Sequence, residues 1–321
     1  MSGEAVGRDD MSEVTDLMQQ PLVTVGLAVF NAGPTLELSV QSVLRQSWEN
    51  WELLILDDGS TDGAIDRLPC LSDPRIIVVR DGYNRGLSAR LYQAVLMATG
   101  KYFARMDQDD ICHPERFTKQ VSYLENHSEV DLLATQCITM DEQERLNGIL
   151  PSAIDHADIC RRPWQGFYMA HPTWMGRTEW FRRNPYPVPG PYCCEDQELL
   201  LRAHQVSCYH TLPELLLAYR VRSHVPWQKL LRTRAAMLEV QLGYFLDRGQ
   251  WLNALLSWLV ELARIGRDGL VELQYKLSFP ARVRLSANTS PAEQQEWERL
   301  IGTLKDSVGY RGSNKAKNGK A

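Results

Sequence analysis

The sequence has few of the features by which several protein classes are recognised. Its seven cysteines form an odd set without C-x-x-C spacing, which argues against a disulfide framework or a zinc knuckle and favours buried, reduced thiols. Asn253, Ser257 and Glu261 interrupt the longest apolar run, so no stretch approaches the roughly 18 residues of a membrane-spanning helix. Residues 1–20 lack the apolar segment of a secretory signal. We therefore expect a cytoplasmic protein.

A surplus of positive charge is also missing. The chain has 35 Lys and Arg against 40 Asp and Glu, a net charge of −5, which argues against a partner that is bound through its phosphates, such as nucleic acid. The charge is unevenly divided, since residues 1–225 carry a net −11 and residues 226–321 a net +6. Apolar residues, by contrast, make up 44% of the chain and exclude global disorder.

Apolar runs and helical periods alternate over the first part of the chain. Strand-like runs rich in Val, Ile and Leu cover 23–29, 51–56, 75–79 and 102–106, and helical periods cover 34–46 and 87–99. Near-continuous apolar runs are typical of strands that are buried on both faces of a parallel sheet. The alternation predicts an α/β fold: a doubly wound, mostly parallel central sheet with flanking helices.

The later segments are less regular. We expect a strand over 130–140, a helix over 195–206 and a last strand over 215–221, whereas the proline-rich segment 141–194 predicts long ordered loops that shape a pocket. From Trp227 onward the period is helical, and Leu252, Leu255, Leu256 and Leu259 begin a broad apolar stripe.

Acidic residues follow the predicted strands at their carboxyl ends, where open α/β sheets bind ligands. Asp107 and Asp109 are two residues apart after the fourth strand, so both can project into one crevice. Two like charges there need a counter-ion, and Mg²⁺ or Mn²⁺ held also by substrate phosphates would supply it. The alternative is an acidic turn that caps the helix after Pro114. No glycine-rich phosphate loop is present to hold the phosphates instead.

The motifs from Val23 to Arg222 resemble, in order, those of the inverting nucleotide-sugar glycosyltransferases of family 2, which have the GT-A fold. The matching segments are Phe30-Asn31, residues 42–47, Trp51 to Asp62 with its Asp57-Asp58-Gly59-Ser60, Asn84 to Arg90, Gly100-Lys101-Tyr102, Asp107 to Asp110 and Pro114-Glu115-Arg116.

The resemblance implies a role for each matching residue on the donor side. Asp58 would contact the uracil or another base, with Phe30 against it, and Asp107 would meet the ribose or the metal. Asp109 would bind the Mn²⁺ or Mg²⁺ ion that bridges the diphosphate. Other residues expected at the nucleotide are Ala28, Asn31, Asp57 and Arg90, although Arg90 could instead cap its own helix.

On the acceptor side, Glu195-Asp196 resembles the family's Glu-Asp pair. The resemblance implies that Asp196 is the general base, although an acidic residue at this position is also favoured as a helix cap. His171 is expected as an acceptor contact. His224 follows the Tyr219-Arg220 segment two residues later than the family's metal-binding histidine, which puts its role as a metal ligand in doubt.

The organisation that follows is a disordered leader (1–20), a GT-A domain (21–225), a helical extension (226–308) and a flexible tail (309–321). The expected activity is metal-dependent, inverting transfer of a sugar from a nucleoside-diphosphate sugar, most simply a UDP-sugar, to a hydroxyl of a saccharide or lipid-linked acceptor. A sugar-nucleotide nucleotidyltransferase and an inactive binding module are the alternatives. The C-terminal helices are expected to pack on the catalytic domain, on a second copy, or peripherally on the inner face of the membrane.

Overall fold

A computed structural model describes residues 20–222, 225–276 and 289–310 of the chain. Its centre is a nine-stranded sheet in the order β3-β2-β1-β4-β8-β6-β9-β5, with β7 paired to β6. The strands are β1 (Val23–Val29), β2 (Trp51–Asp57), β3 (Ile76–Arg80), β4 (Tyr102–Met106), β5 (Ile111–Cys112), β6 (Leu132–Met140), β7 (Leu146–Ile149), β8 (Met175–Arg177) and β9 (Tyr209–Arg220). The helices are α1 (Thr35–Leu44), α2 (Leu87–Met97), α3 (Arg116–Asn126), α4 (His156–Ile159), α5 (Thr178–Arg183), α6 (Glu195–Ala203), α7 (Trp227–Asp247), α8 (Trp251–Lys276) and α9 (Pro291–Val308).

The strands β1 to β4 form the parallel half of the sheet that the sequence predicts. β1 lies between β2 and β4, with Val29 opposite Asp57 and Leu27 opposite Met106. This register places the carboxyl ends of three strands side by side. The residues that follow them, Phe30, Asp58 and Asp107, therefore meet at one edge of the sheet. Gly26 lies inside β1 because a Cβ there would stand 2.4 Å from the Phe103 ring that packs over it.

The other half of the sheet mixes strand directions. β6 and β9 are parallel, whereas β8 runs antiparallel to both β4 and β6. β9 begins at Tyr209, six residues earlier than the strand predicted from Leu215, because a break in the pairing with β6 accommodates the exposed Pro213 and Glu214. A proline has no amide hydrogen for the ladder and is tolerated at such a bulge.

The segment 141–194 contains short elements between its loops: β7, α4, β8, α5 and two 3-10 turns, Pro163–Gln165 and His171–Thr173. Four of its prolines, Pro151, Pro172, Pro189 and Pro191, line a cavity. The expectation that this segment shapes a pocket is therefore met, although its short helices and strands were not predicted.

All three C-terminal helices contact the sheet domain, and α8 does so through Ala254 and through a hydrogen bond from Arg264 to the backbone of Gln165. Phe245 of α7 joins the apolar cluster on one side of the sheet, and Trp297, Ile301 and Leu304 of α9 pack against Leu38 of α1 and neighbouring residues. α9 starts with a capping box in which Ser290 and Glu293 exchange hydrogen bonds.

A buried carboxylate, Glu144, fixes α9 to the rest of the chain. It accepts hydrogen bonds from Arg220 at 2.9 Å, Lys305 at 3.1 Å and the Tyr310 hydroxyl at 3.1 Å. The Arg220 side chain also donates to the backbone oxygen of Asp109 at 2.9 Å. The end of the chain is thus linked through Glu144 and Arg220 to the loop that contains the predicted metal ligands.

Within the described residues, no helix has the length and apolar character needed to cross a membrane. All seven cysteines lie in the described ranges and none forms a disulfide. Three of them, Cys112, Cys137 and Cys194, are buried and Cys193 is exposed, so the predicted burial holds for only part of the set.

Candidate active site

Two adjoining cavities lie at the carboxyl edge of the parallel strands and share Leu87, Asp107 and Tyr219. We call the first the edge cavity. It has a volume of about 660 Å³ and is lined by strand ends and by the start of α7: Ala28, Val29, Phe30, Asp58, Gln108, Asp109, Arg220, Val221, Arg222, Val225 and Lys229. The second, the loop cavity, has about 810 Å³ and is lined by Arg85, Gly86, Ser88, Arg105, Leu150, Pro151, residues 167–172, residues 189–193, Glu195 and Asp196.

The loop after β4 brings Asp107 and Asp109 to the edge cavity, as their spacing predicts. The side-chain amide of Gln108 fixes this loop, because its Oε1 accepts from the backbone N–H of Phe30 at 2.7 Å and its Nε2 donates to the backbone oxygen of Phe30 at 3.2 Å. Arg105 pairs with Asp107 at 2.6 Å. The two motifs that follow β1 and β4 are therefore held against each other.

Carboxylates are crowded around this loop. Burial, and then the negative charge of Asp107, raises the pKa of Asp109 to about 6, against the opposing effect of Arg220. The same causes raise the pKa of the buried Asp110 well above its ordinary value, and one of its oxygens has no hydrogen-bond partner. Asp110 accepts a hydrogen bond from the backbone N–H of Arg220 at 2.8 Å, so it stabilises the loop after β4. Asp109 lines the edge cavity and is in a position to bind a cation.

The donor set at Asp107 and Asp109 fits a magnesium or manganese ion. No group of three or more His, Cys, Asp or Glu side chains within residues 20–222, 225–276 and 289–310 is arranged to hold a metal. Mg²⁺, however, is usually bound by one or two carboxylates together with substrate phosphates and water. Two carboxylates at the wall of one cavity match that pattern. His224, the third predicted ligand, lies outside the described residues.

Asp58 lines the edge cavity, but its carboxylate is also bound by the protein. It accepts the backbone N–H groups of Arg85 at 2.7 Å and Gly86 at 3.0 Å, and Nε of Arg90 at 2.9 Å. Gly86 adopts a φ of 85°, which favours glycine. Asp58 therefore orders the loop before α2 as well as facing the cavity.

The structure corrects the direct nucleotide contact expected of Arg90. Its side chain is completely buried and lines neither cavity. Its guanidinium donates to Asp58, Asp81, Gln93 and the backbone oxygen of Tyr83. Arg90 does not cap its own helix either, because its guanidinium binds Asp58 and the segment before α2, and it therefore orients Asp58 from behind.

Asp57 and Asn31 also lie off both cavity walls. Asp57 accepts the backbone N–H of Ser60 at 2.8 Å, and Asn31 accepts that of Thr61 at 2.9 Å from a backbone φ of 48°. These bonds stabilise the turns after β1 and β2. Both residues thus shape the edge of the site without facing it, because their oxygen atoms are used within the turns.

The first turn of α6 presents Glu195 and Asp196 to the loop cavity. Burial, and then the charge of Asp196, raises the pKa of Glu195 to about 7. Burial also raises the pKa of Asp196, whose Oδ2 accepts the side-chain amide of Gln197 at 3.2 Å. No side chain caps α6, so neither residue is its N-cap. Gln197 holds the backbone of Phe167 as well, with bonds of 2.8 and 3.2 Å.

His171 also lines the loop cavity, where it is bound to Tyr186 and not free. Its Nε2 lies 2.8 Å from the Tyr186 hydroxyl and its Nδ1 lies 3.6 Å from Glu195. Burial, and then the neighbouring charge of Arg105, lowers the pKa of His171 well below its ordinary value. The imidazole is therefore neutral at pH 7 and behaves as a hydrogen-bonding wall.

Sequence reasoning missed several cationic residues of the site. Arg105 is buried, and its Nε and one terminal nitrogen have no hydrogen-bond partner, although it lines the loop cavity. Its signal was available, because the two-residue alternation that groups Asp107 with Asp109 also includes Arg105. Lys229 and Arg222, which line the edge cavity, carried no such signal because they follow the last strand.

Comparison with known proteins agrees with this geometry. The family model described as Glycosyl transferase family 2 matches residues 24–184, half of the chain. An uncharacterized glycosyltransferase of Haemophilus influenzae is 29% identical over 216 residues, which are 64% of this chain and 67% of that protein. An Escherichia coli relative, UDP-Glc:alpha-D-GlcNAc-diphosphoundecaprenol beta-1,3-glucosyltransferase WfaP, is 33% identical over 104 residues, 32% of this chain and 41% of that protein.

A solved structure supports the fold over nearly the whole chain. The mannosyltransferase PcManGT from Pyrobaculum calidifontis, determined in complex with GDP-Man and Mn²⁺, superimposes with a TM-score of 0.53. The match covers 95% of this chain and 94% of that one at 14% identity. The expected GT-A architecture and the transferase class are therefore confirmed, and the chain belongs to glycosyl transferase family 2.

Proposed function

We propose that this protein transfers a sugar, with inversion, from a nucleoside-diphosphate sugar in the edge cavity to a hydroxyl of an acceptor in the loop cavity. The observation that carries the proposal is the continuity of the two cavities at Asp107. The edge cavity contains paired carboxylates and cations that can bind a metal ion and a diphosphate. The loop cavity contains a partly buried carboxylate that can accept a proton. An in-line displacement needs those two groups on opposite sides of the reacting carbon.

In the edge cavity, Phe30 is 47% exposed and offers an aromatic face to the base, next to the Asp58 carboxylate. Asp107 and Asp109 would hold a divalent ion, which supplies Lewis-acid neutralisation of the charge that grows on the leaving diphosphate. Arg220, Arg222 and Lys229 surround the same space and add positive charge for the phosphates.

In the loop cavity, Asp196 accepts the proton of the attacking hydroxyl. Burial raises the pKa of the Asp196 carboxylate, which makes its ionised form a stronger base than an exposed carboxylate. Gln197 and the first turn of α6 fix its orientation. Glu195 lies behind it, next to His171, and serves to position the pair.

We further propose a UDP-sugar as the donor and a lipid-linked saccharide as the acceptor. The support is the relative WfaP, whose name describes a UDP-glucose donor and a diphosphoundecaprenol acceptor. The loop cavity suits a sugar acceptor, because Tyr168 and Tyr192 are 46% and 43% exposed at its wall and sugars pack on aromatic faces. A cytoplasmic location would match such a donor.

The two alternatives from the sequence are less well supported. The family match favours glycosyl transfer over nucleotidyl transfer. The joint presence of Asp107, Asp109 and Asp196 around continuous cavities gives no reason for an inactive module.

The test is hydrolysis of a panel of UDP-, dTDP- and GDP-sugars by the purified protein with Mn²⁺, Mg²⁺ or EDTA. We expect turnover of at least one donor with a divalent ion and at least a hundredfold loss in EDTA or in Asp109→Ala. The matched control is Asp66→Ala, an exposed carboxylate that lines neither cavity. Full activity of Asp109→Ala, or equal turnover in EDTA, would contradict the metal assignment.

A further inference from the structure

The helix α8 (Trp251–Lys276) packs on the sheet domain with a mostly polar side. Its buried residues are Ala254, Ser257, Glu261 and Asp268. The leucines of the predicted apolar stripe are exposed instead, and Leu255, for example, is 53% exposed. A surface helix of a globular protein normally buries its apolar side. The buried polar side chains of α8 therefore need partners within the protein.

Arg264 connects this polar side of α8 to the turn Pro163–Gln165. One of its terminal nitrogens pairs with Glu261 at 2.5 Å, and the other donates to the backbone oxygen of Gln165 at 2.7 Å. Glu261 is completely buried. A guanidinium that bridges a buried carboxylate and a carbonyl has little freedom to move, because both of its bonds are directional and charge-assisted. Arg264 therefore holds the last carbonyl group of the turn against α8.

The neighbouring helix α7 holds the first residue of the same turn. Gln241, which is completely buried, donates from Nε2 to the backbone oxygen of Pro163 at 3.3 Å. The turn is a single 3-10 segment of three residues, and a segment of this length satisfies few of its own carbonyl groups. Side chains of α7 and α8 therefore set its position.

Two residues beyond the turn, the backbone of Phe167 is bound by the side-chain amide of Gln197 in α6. Oε1 of Gln197 accepts from the N–H of Phe167 at 2.8 Å, and Nε2 donates to the backbone oxygen of Phe167 at 3.2 Å. The same Nε2 donates to Oδ2 of Asp196 at 3.2 Å. Because a primary amide has two N–H groups, these bonds use both donors and fix the direction in which the amide faces. A displacement of Phe167 would therefore withdraw the donor from Asp196.

We propose that α7 and α8 position the catalytic base through this series of contacts, with Gln197 as the positioning residue that touches it. The proposal rests on the proposed function, in which Asp196 accepts the proton of the attacking hydroxyl. The contacts lead from Arg264 and Gln241 to the turn, then to Phe167, and through Gln197 to Asp196. The C-terminal helices thus contribute to the rate of transfer as well as covering part of the sheet domain.

The expected effect is on the rate and not on the binding of the donor. A reacting group that is misplaced by about 1 Å costs about a hundredfold in rate. The donor, by contrast, binds in the edge cavity, whose described lining includes none of these contact residues. We therefore expect a lower kcat with an unchanged KM for the donor. An effect that passes through Asp196 must also disappear once Asp196 can no longer accept a proton.

The first experiment breaks the contacts at α8. Glu261→Met/Arg264→Met removes both charges together, because Arg264→Met alone would leave a buried carboxylate without its partner. The rate measured is hydrolysis, with Mn²⁺ and with water as the acceptor, of whichever UDP-, dTDP- or GDP-sugar the parent hydrolyses fastest. We expect kcat to fall about tenfold, and the backbone amides of residues 163–169 to exchange with deuterium at least about tenfold faster.

Two further variants control for unspecific damage. Arg264→Lys should retain most of the rate, because its ammonium group can still pair with Glu261 and donate to the turn. Arg267→Met removes an exposed arginine of the same helix that pairs with Asp268, so it should match the parent in both measurements. Thermal melting shows whether each variant is folded. If the double variant melts below the assay temperature, Gln241→Leu removes the other bond to the turn without unpairing a charge and should lower kcat about threefold.

The second experiment breaks the contacts next to the base. Gln197→Met keeps the length of the side chain and removes its hydrogen bonds, so we expect kcat to fall at least about tenfold. In an Asp196→Asn background the same substitution should change the residual rate by less than about twofold, because a double-mutant cycle isolates the coupling between two side chains. An equal loss in both backgrounds would overturn the proposal, since Gln197 would then act on the fold and not on the base.

Amide exchange needs no substrate, so it separates this proposal from the proposed function. A parent that hydrolyses none of the nucleotide sugars would overturn the proposed function, and with it the catalytic role of the helices, whatever the exchange shows. An active parent with unchanged exchange or unchanged kcat in Glu261→Met/Arg264→Met would overturn the role of the helices alone. Faster exchange together with a lower kcat and an unchanged KM for the donor would support both.

Discussion

The edge cavity and the loop cavity both contain a pair of acidic residues, but their surroundings give the two pairs different properties. Asp107 and Asp109 share their space with Arg220, Arg222 and Lys229, which suits the binding of a cation and a diphosphate. Glu195 and Asp196 lie in the loop cavity, whose wall is more apolar and contains the cations Arg85 and Arg105. Burial raises the pKa of both residues, as it also raises the pKa of Asp109, so the two pairs differ in their cationic neighbours more than in their pKa shifts. Under the proposed function, the same residue type would therefore bind a cation in one cavity and accept a proton in the other.

The largest effect is expected from Asp196→Asn, which separates the two tasks. An amide cannot accept the acceptor's proton, so transfer should fall by about 10²–10⁴ while binding of the donor nucleotide persists. Asp109→Asn should instead weaken the metal-dependent binding of the donor nucleotide. Calorimetric titration of UDP with Mn²⁺ and initial rates of transfer measure both. If both variants lose nucleotide binding equally, the division between the cavities is wrong.

A second effect follows from the buried position of Glu195. Its pKa is 4.5 in an exposed setting and about 7 in the fold, so between these values the folded protein holds a proton that the unfolded chain releases. The contribution of Glu195 to the free energy of unfolding is therefore greatest below pH 4.5 and falls by about 3 kcal/mol as the pH rises through 7.

Glu195→Gln should remove this decline, since its amide does not titrate. Chemical denaturation of the metal-free protein at pH 5, 6, 7 and 8 measures the slope for both proteins. Glu198→Gln is the control, because Glu198 occupies the same helix but pairs with Arg202 at 2.9 Å. Parallel slopes for the parent and Glu195→Gln would show that Glu195 is ionised in the fold.

The smallest effects should distinguish the two aromatic walls. Phe30→Ala should raise the KM for the donor by about three- to tenfold, the value of one aromatic contact, with little change in kcat. Tyr168→Ala should raise the KM for the acceptor by a similar factor and leave that of the donor unchanged. Initial rates over both substrates test this pair. A donor effect from Tyr168→Ala would place the donor in the loop cavity.

The edge cavity was largely predictable from the sequence because local rules determine it. Buried apolar runs predict parallel strands, and parallel strands in register bring their carboxyl ends together, so Phe30, Asp58, Asp107 and Asp109 meet. The same rules could not separate residues that face the cavity from residues that shape its turns. Arg90 has the length to reach a ligand, and only the fold shows that Asp58 and Asp81 occupy its donors.

The loop cavity was predictable only in outline. Prolines and aromatics indicate ordered loops, but the loop conformations depend on contacts distant in sequence, such as Gln197 with the backbone of Phe167, 30 residues away. The neutral state of His171 likewise depends on burial beside Tyr186 and Arg105. The orientation of α8 was equally hidden, since a helical period locates an apolar stripe without showing which way it faces.

The hydrogen bonds of Glu144 limit which segments can be exchanged between related proteins. Because one carboxylate joins Lys305 of α9 and the following Tyr310 to Arg220 beside Asp109, we expect α9 and the loop after β4 to vary together among relatives. A chimera that takes its last helix from a relative without this lysine and tyrosine would leave the Glu144 carboxylate with Arg220 alone among these three partners and loosen Arg220 beside Asp109. Recombination should therefore succeed only where the turn between β6 and β7, which contains Glu144, is exchanged together with β9 and the last helix.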